Sequence, residues 1–350
     1  MLKLNLNNNK DLKSYRNIIF CTSSLSVPFT VSLIAKFKET STIVIQSKEL
    51  FDFFVKYYPK HDIIFFEEPK SLINKNFLKI IKNHYHNYLL KKKILFFFNK
   101  YLNSNVFTNI RAFSPLSAYM LIVLSKKNKI YHQKLVKLSF KTTKQDLKLK
   151  ILKIYYKMMF DLDCHVIATK NNENLLPYSN KFFKKIASKN IRYKINSNSI
   201  KNFISQNFNI PSNKILFLGF GSYLKEGLIE KKLFKDFMKK WSSTCNYKKL
   251  LLKRKNFEEK KYYLEKALAE VPSFIPANLL IYNFKIVIGY NSATLFEAAN
   301  KSCKVISLLY LLSKNTFTVK YYKNYLDKNL KVNKKIFYPK TYEQFINYFK

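Results

Sequence analysis

The run Ile215-Leu-Phe-Leu-Gly-Phe-Gly-Ser-Tyr-Leu-Lys-Glu-Gly227 and its companion Lys285-Ile-Val-Ile-Gly-Tyr-Asn-Ser-Ala-Thr294 hold all four glycines of this 350-residue chain. They are Gly219, Gly221, Gly227 and Gly289; the first 218 residues have none. Each run opens with a short apolar segment that reads as a buried strand. A glycine directly after such a strand lets the backbone turn sharply or approach a ligand closely. In open α/β sheets, ligands sit just beyond the carboxyl ends of the strands. Both runs are therefore read as binding corners.

Outward from these corners the pattern is one of alternation. Strands are expected at 214–219, 247–252, 285–289 and 304–309, with helices at 228–241, 257–269, 276–282 and 292–300. Thr341 and Gln344 stand at capping-box spacing for a last helix over 342–349. The first half shows the same rhythm. Strands are expected at 17–22, 42–47, 62–66, 93–98, 105–110 and 129–132, and helices at 28–38, 48–58, 70–90 and 115–126. Strands alternating with helices of this length predict parallel sheets covered on both faces. The expected fold class is α/β, with two Rossmann-like domains over 1–200 and 201–350. The segment 171–213, rich in Asn, Ser and Lys with Pro177 and Pro211, is expected to hold one short helix and the linker.

Residues 144–159 read as one amphipathic helix. Leu147, Ile151, Ile154, Tyr155 and Met158 share a face, and Lys148, Lys150, Lys153 and Lys157 decorate the rest. Two readings stand: a helix packed on its own domain with lysines in water, or one lying on an anionic membrane.

Composition narrows the classes. Lys+Arg is 64 against 21 Asp+Glu, a formal net charge of +43. Only Arg16, Arg111, Arg192 and Arg254 are arginines. Reading base edges relies on bidentate arginine, so this lysine-borne charge suits diffuse attraction to phosphates or anionic lipid. The abundance of Lys, Asn, Ile, Tyr and Phe matches A/T-rich codons, which explains part of the charge. Cys21, Cys164, Cys245 and Cys303 form no CxxC pair, so neither a disulfide framework nor a zinc site is implied, and a reducing cytoplasm fits. No apolar run approaches the length of a membrane-spanning helix. The basic start before Ile18 mimics a signal peptide, but Thr22, Ser23, Ser24, Ser26 and Pro28 break its apolar stretch.

Chemistry concentrates at the two corners. Asn291 and Ser292 fall where a helix begins, and free N–H groups there favour a phosphate; the alternative is a plain N-cap. Glu226, in a loop at the carboxyl edge, is placed to serve as general base on a sugar hydroxyl; the alternative is a solvated carboxylate. Gly-Phe-Gly is neither the dinucleotide fingerprint nor a Walker loop. Elsewhere, Glu67-Glu68 end a strand, and Asp161, Asp163 and His165 form a cluster that makes a poor metal cage. No serine pairs with a base at readable spacing. Ser23 and Ser24 come directly after the first strand.

Leu216-Phe-Leu-Gly219 followed by Leu224-Lys-Glu-Gly-Leu228 resembles the opening motif of bacterial sialyltransferases of glycosyltransferase family 52 and the related polysialyltransferases. Ile275-Pro-Ala-Asn278 and Gly289-Tyr-Asn-Ser-Ala-Thr-Leu295 match two later family motifs in order and spacing, so the resemblance covers about 214–310. It implies a GT-B fold, with two Rossmann-like domains facing across a cleft, and transfer of sialic acid from CMP-sialic acid to a glycan or lipooligosaccharide. It implies donor contacts at Gly219, Gly221, Pro276, Asn291, Ser292 and Thr294, with Ser23 and Ser24 on the acceptor side. The family's His-Pro motif is absent: its place reads Leu250-Leu-Leu-Lys-Arg-Lys255, where Lys253 or Arg254 would supply charge without serving as an acid. The family glutamate after Pro-Ala is Asn278 here.

The expected enzyme is an inverting glycosyltransferase that needs no metal or other cofactor. Its expected partners are a nucleotide sugar and a glycan or glycolipid acceptor, with a homodimer and peripheral contact with an anionic inner membrane also admitted. Nucleic acid is not expected as a partner, and the expected location is cytoplasmic. Two rivals stay open: a paralogue that binds nucleotide or glycan without catalysis, and a lysine-rich nucleic-acid-binding protein.

Overall fold

The computed structural model describes residues 3–5, 17–23, 26–37, 40–67, 69–70, 77–110, 115–134, 147–169, 172–176, 180–191, 193–208, 215–244, 250–254, 262, 268–271 and 275–348. The chain divides into two compact, contiguous units, Met1–Lys194 and Ile195–Lys350.

The first unit contains strands β1 (Lys3–Asn5), β2 (Asn17–Cys21), β3 (Thr42–Ile45), β4 (Asp62–Phe65), β5 (Asn105–Ile110), β6 (Lys129–Lys134), β7 (His165–Thr169), β8 (Asn172–Leu176) and β9 (Lys189–Asn190). Its helices are α1 (Val27–Lys36), α2 (Lys48–Tyr57), α3 (Phe77–Phe98), α4 (Pro115–Ser125), α5 (Leu147–Phe160) and α6 (Asn180–Lys185). The main sheet has the order β1-β4-β3-β2-β5-β6-β9. All its pairings are parallel except that of β1 with β4. Residues 18–21 and 42–45 are buried throughout, as a strand covered on both faces requires. β7 and β8 form a separate antiparallel pair.

The second unit contains α7 (Ser197–Asn207), β10 (Ile215–Leu218), α8 (Gly221–Lys225), α9 (Lys231–Thr244), β11 (Leu250–Lys253), β12 (Ala269–Glu270), α10 (Ala277–Leu280), β13 (Ile286–Gly289), α11 (Ala293–Asn300), β14 (Lys304–Ser307), α12 (Leu309–Leu312), α13 (Thr316–Lys328) and α14 (Tyr342–Asn347). Its sheet is parallel throughout, in the order β12-β11-β10-β13-β14. Behind it lies an aromatic core: Phe217, Phe237 and Phe345 surround Trp241 at ring-centre distances of 5.1, 5.4 and 5.3 Å. α14 opens as its spacing predicts, with Thr341 accepting from the Gln344 N–H; the Gln344 side chain accepts from the Lys340 N–H.

Counted along the parallel strands of each unit, both sheets run 3-2-1-4-5, and the first unit adds a sixth strand. This is the Rossmann order, which places a switch point beside the first strand of each unit. The α/β class with two Rossmann-like, mostly parallel sheets is thus the observed one. The switch points lie between β2 and β5 and between β10 and β13.

Four expectations change. The segment 171–213, expected to hold one short helix and the linker, contains β8, α6, β9 and α7. The strand expected at 93–98 is the end of α3: Ile94, Phe97 and Phe98 are buried at helical spacing, while Phe96 faces water. Ala269, expected to close a helix over 257–269, instead begins a fifth strand, Ala269–Glu270, paired with β11; most of 257–267 lies outside the described residues. On α5 the face shared by Leu147, Ile151, Ile154, Tyr155 and Met158 divides, and of these five only Tyr155 packs against the core. Leu147, Ile151, Ile154 and Met158 are exposed, and Leu149, Met159 and Phe160 pack inward instead.

Candidate functional site

The carboxyl edge of the second sheet gathers the residues that leave each strand: Gly219 after β10, Arg254 after β11, and Tyr290, Asn291 and Ser292 after β13. The Gly219 N–H donates to the Lys253 carbonyl at 2.9 Å. A Cβ on Gly219 would stand 3.3 Å from the Arg254 Cα. A Cβ on Gly289 would stand 3.1 to 3.3 Å from Leu218 and Leu295 atoms. These two glycines let strands and helix pack closely at the switch point, so the space they leave is filled by protein. Gly227 has a φ of +70° and ends α8, where the Leu228 N–H returns to the Tyr223 carbonyl at 2.9 Å. Gly221 is the first residue of α8 and is buried.

The two glycine corners meet within this one unit. The Tyr290 hydroxyl donates to the Leu228 carbonyl at 2.8 Å, and the Tyr290 and Tyr223 rings lie 5.4 Å apart. Tyr322 of α13 lies within electrostatic reach of both sides, Glu226 on one and Asn291 on the other. Burial first, then Tyr321 and Glu226, push the Tyr322 phenol up, against the pull of Asn291. Burial pushes Tyr290 up to about 12, opposed by a hydrogen bond with Ser313. The loop after β14 secures the rest. Ser307 Oγ donates to the Tyr290 carbonyl at 2.6 Å, and the Glu230 N–H donates to the Leu312 carbonyl at 3.0 Å. Glu226 itself is exposed.

Around these corners the expected donor residues divide. Asn291 is buried, and Ser292 is half-buried at the N-cap of α11. Ser292 Oγ accepts from the Thr294 N–H at 3.3 Å, which leaves its own O–H to donate. The Lys253 ammonium is buried and donates to the Arg254 carbonyl at 2.6 Å. The Arg254 guanidinium is paired with the Glu270 carboxylate. Pro276 is buried at the N-cap of α10, where its carbonyl accepts from the Leu279 N–H at 3.0 Å. One turn on, Asn278 Nδ2 donates to Glu297 Oε2 at 3.5 Å. A carboxylate thus stands beside Asn278, supplied by α11.

In the first unit, Ser23 lies at the β2–β5 switch point. Its Oγ is 3.3 Å from Ser26 Oγ, which reaches the Asn109 carbonyl at 3.5 Å. The Asn109 side chain is buried there with neither amide atom hydrogen-bonded. Ser24 and Glu68 lie outside the described residues. Asp161 pairs with Lys157 and Lys185, and Asp163 pairs with Lys157. Among the described residues, no group of three metal-ligating side chains forms. A hollow of about 370 Å³ between α1, β5 and β6 contains none of the expected site residues.

Tyr322, Ser313 and Glu297 were not expected at the site. Glu297 sits one turn beyond the Gly289 corner and was within reach of the helical spacing. Tyr322 is 31 residues from Asn291, and no local pattern ties the two together.

No protein-family model matches the chain, and no curated protein matches it. Among solved structures it resembles the glycosyltransferase SnogD from Streptomyces nogalater, at 8% identity and a TM-score of 0.44, over 96% of this chain and 100% of that one. It also resembles the glycotransferase of kitacinnamycin, at 6% identity and a TM-score of 0.44, over 87% and 83% of the two chains. A third is a putative UDP-N-acetylglucosamine 2-epimerase from Listeria monocytogenes, at 12% identity and a TM-score of 0.42, over 84% and 79%. Similarity at this level transfers no role to a residue.

Proposed function

We propose that this protein is a GT-B glycosyltransferase that holds a nucleotide sugar at the carboxyl edge of its second unit. The supporting observation is the meeting of the loop after β10 with the turn after β13 at the Rossmann switch point, where the Tyr290 hydroxyl donates to the Leu228 carbonyl and the Tyr290 ring packs on that of Tyr223. The N-terminus of α11 offers its dipole to a donor phosphate, and the Ser292 hydroxyl adds a hydrogen-bond donor. Glu226 is the exposed carboxylate beside this edge and serves as base toward an acceptor hydroxyl. Holding donor and acceptor in register supplies most of the acceleration. Ser23 and the unsatisfied Asn109 at the other switch point take the acceptor glycan or glycolipid. The sequence resemblance names CMP-sialic acid as the first donor to try. The reaction is read as needing no metal, and the enzyme as working in the cytoplasm.

The test is a panel of nucleotide sugars assayed with the wild type and Glu226→Gln. Loss of a general base predicts a fall in turnover of about 10²- to 10⁴-fold with nucleotide binding retained. Unchanged turnover removes Glu226 from the role.

One observation favours a second reading, nucleotide binding without transfer. Arg254 is committed to Glu270 and Lys253 to the Arg254 carbonyl, so both cations expected at the phosphate already have protein partners. Binding of CMP with no turnover of any donor would select it.

A further inference from the structure

Two neighbouring helices of the first unit hold apolar side chains out in solvent. On α5, Leu147, Ile151, Ile154 and Met158 are spaced at intervals of four, three and four residues, which makes one stripe of a helix. They are 70%, 55%, 60% and 79% exposed. Packing is done by the opposite side, through Leu149, Met159 and Phe160. On α3, Phe77, Ile81, Tyr85 and Tyr88 form a second exposed stripe, while Leu90, Ile94 and Phe97 face the core. The helices touch: Asn87 Nδ2 donates to the Tyr155 hydroxyl at 3.1 Å, and the His84 ring packs 5.9 Å from that of Tyr155.

Charge selects the occupant. α3 carries five lysines and α5 four, and neither helix contains an acidic residue. The Lys92 ammonium lies 4.7 Å above the Tyr88 ring, so charge and apolar stripe share one surface. A second copy seated on this face by a twofold would set lysine against lysine. A nucleic acid would satisfy the lysines and leave the apolar stripes uncovered. The boundary of an anionic bilayer takes both, with apolar side chains among the acyl chains and ammonium groups among the phosphates. No described helix is long and apolar enough to cross a membrane, so this contact lies along the surface.

We propose that the outer stripes of α5 and α3 seat the protein on an anionic lipid leaflet. This surface belongs to the first unit and is independent of the donor edge in the second. Nucleotide binding is measured separately, and its failure would leave this proposal standing.

The experiment is flotation of the full chain with vesicles of phosphatidylcholine alone and of an equimolar phosphatidylcholine–phosphatidylglycerol mixture. The wild type is expected to float only with the anionic mixture, and to be weakened but not released by added salt. Ile151→Gln, Ile154→Gln and Met158→Gln together should cut the affinity about tenfold or more, with unchanged circular dichroism. Lys150→Glu with Lys153→Glu should produce a comparable loss, which serves as the test should the triple variant misfold. Four results overturn the proposal. They are a wild type that ignores anionic vesicles, variants that bind them as well as the wild type, a dimer that the triple variant abolishes, and RNA retention lost with the apolar stripe.

Discussion

At Gly289 a single methyl group decides whether two strands and a helix keep their spacing. An added Cβ would stand within 3.3 Å of Leu218 and Leu295, and one of those contacts is the Leu218 Cβ, which cannot swing aside. Overpacking costs about 1 to 3 kcal/mol, whereas restricting the unfolded chain returns about 0.4 to 1 kcal/mol. Gly289→Ala should therefore be less stable by about 1 kcal/mol in urea unfolding. Equal midpoints would show that the switch point can relax. Gly227 differs in kind: nothing lies within 4 Å of an added Cβ, and its demand is the left-handed backbone alone. The sequence made both corners visible because glycine is so scarce here. It did not show that Gly219 and Gly289 are packing residues, since a glycine after a strand looks the same whether protein or ligand fills the space.

Among the elements, α13 shows where a local pattern stops being informative. Thr-Phe-Thr-Val-Lys-Tyr-Tyr is rich in β-branched and aromatic residues, so it carries no helical signature of its own. What starts the helix is Asn315, whose side chain accepts from the Thr318 N–H at 2.9 Å. Asn315→Ala should cost about 1 kcal/mol and loosen Tyr322, two turns on. Thermal unfolding reads the first effect; if the proposed function holds, a weaker nucleotide affinity reads the second. A variant with unaltered melting temperature would assign the start of α13 to packing. The same reasoning explains α3, whose last turns are apolar enough to pass for a strand and whose period is betrayed only by the exposed Phe96. By contrast, the strands around both switch points were legible, because each is a buried apolar run bounded by polar or glycine residues. The approach of Tyr322 to Glu226 and Asn291, read from the shift of its phenol, was not, because it depends on how β14 and α13 return to the sheet edge.

For the molecule as a whole, the formal charge of +43 is the dominant electrostatic fact. Among the described residues, the ion pairs seen are mostly exposed; the Lys314–Glu230 pair, for example, spans 4.0 Å with its lysine largely in water. Such pairs contribute little, so self-repulsion of the folded state dominates. Between about 0.1 M and 1 M sodium chloride the Debye length falls from about 10 to about 3 Å. The melting temperature should rise across that range. A fall would mean that the surface pairs matter more than the net charge.

Glu226, Asn291, Ser292 and Tyr322 all come after Lys194, in the second of two unbroken stretches of polypeptide. On the function proposed above, residues 195–350 joined to a foreign N-terminal half should keep their nucleotide binding. Such a chimera would separate donor from acceptor specificity at the boundary after Lys194.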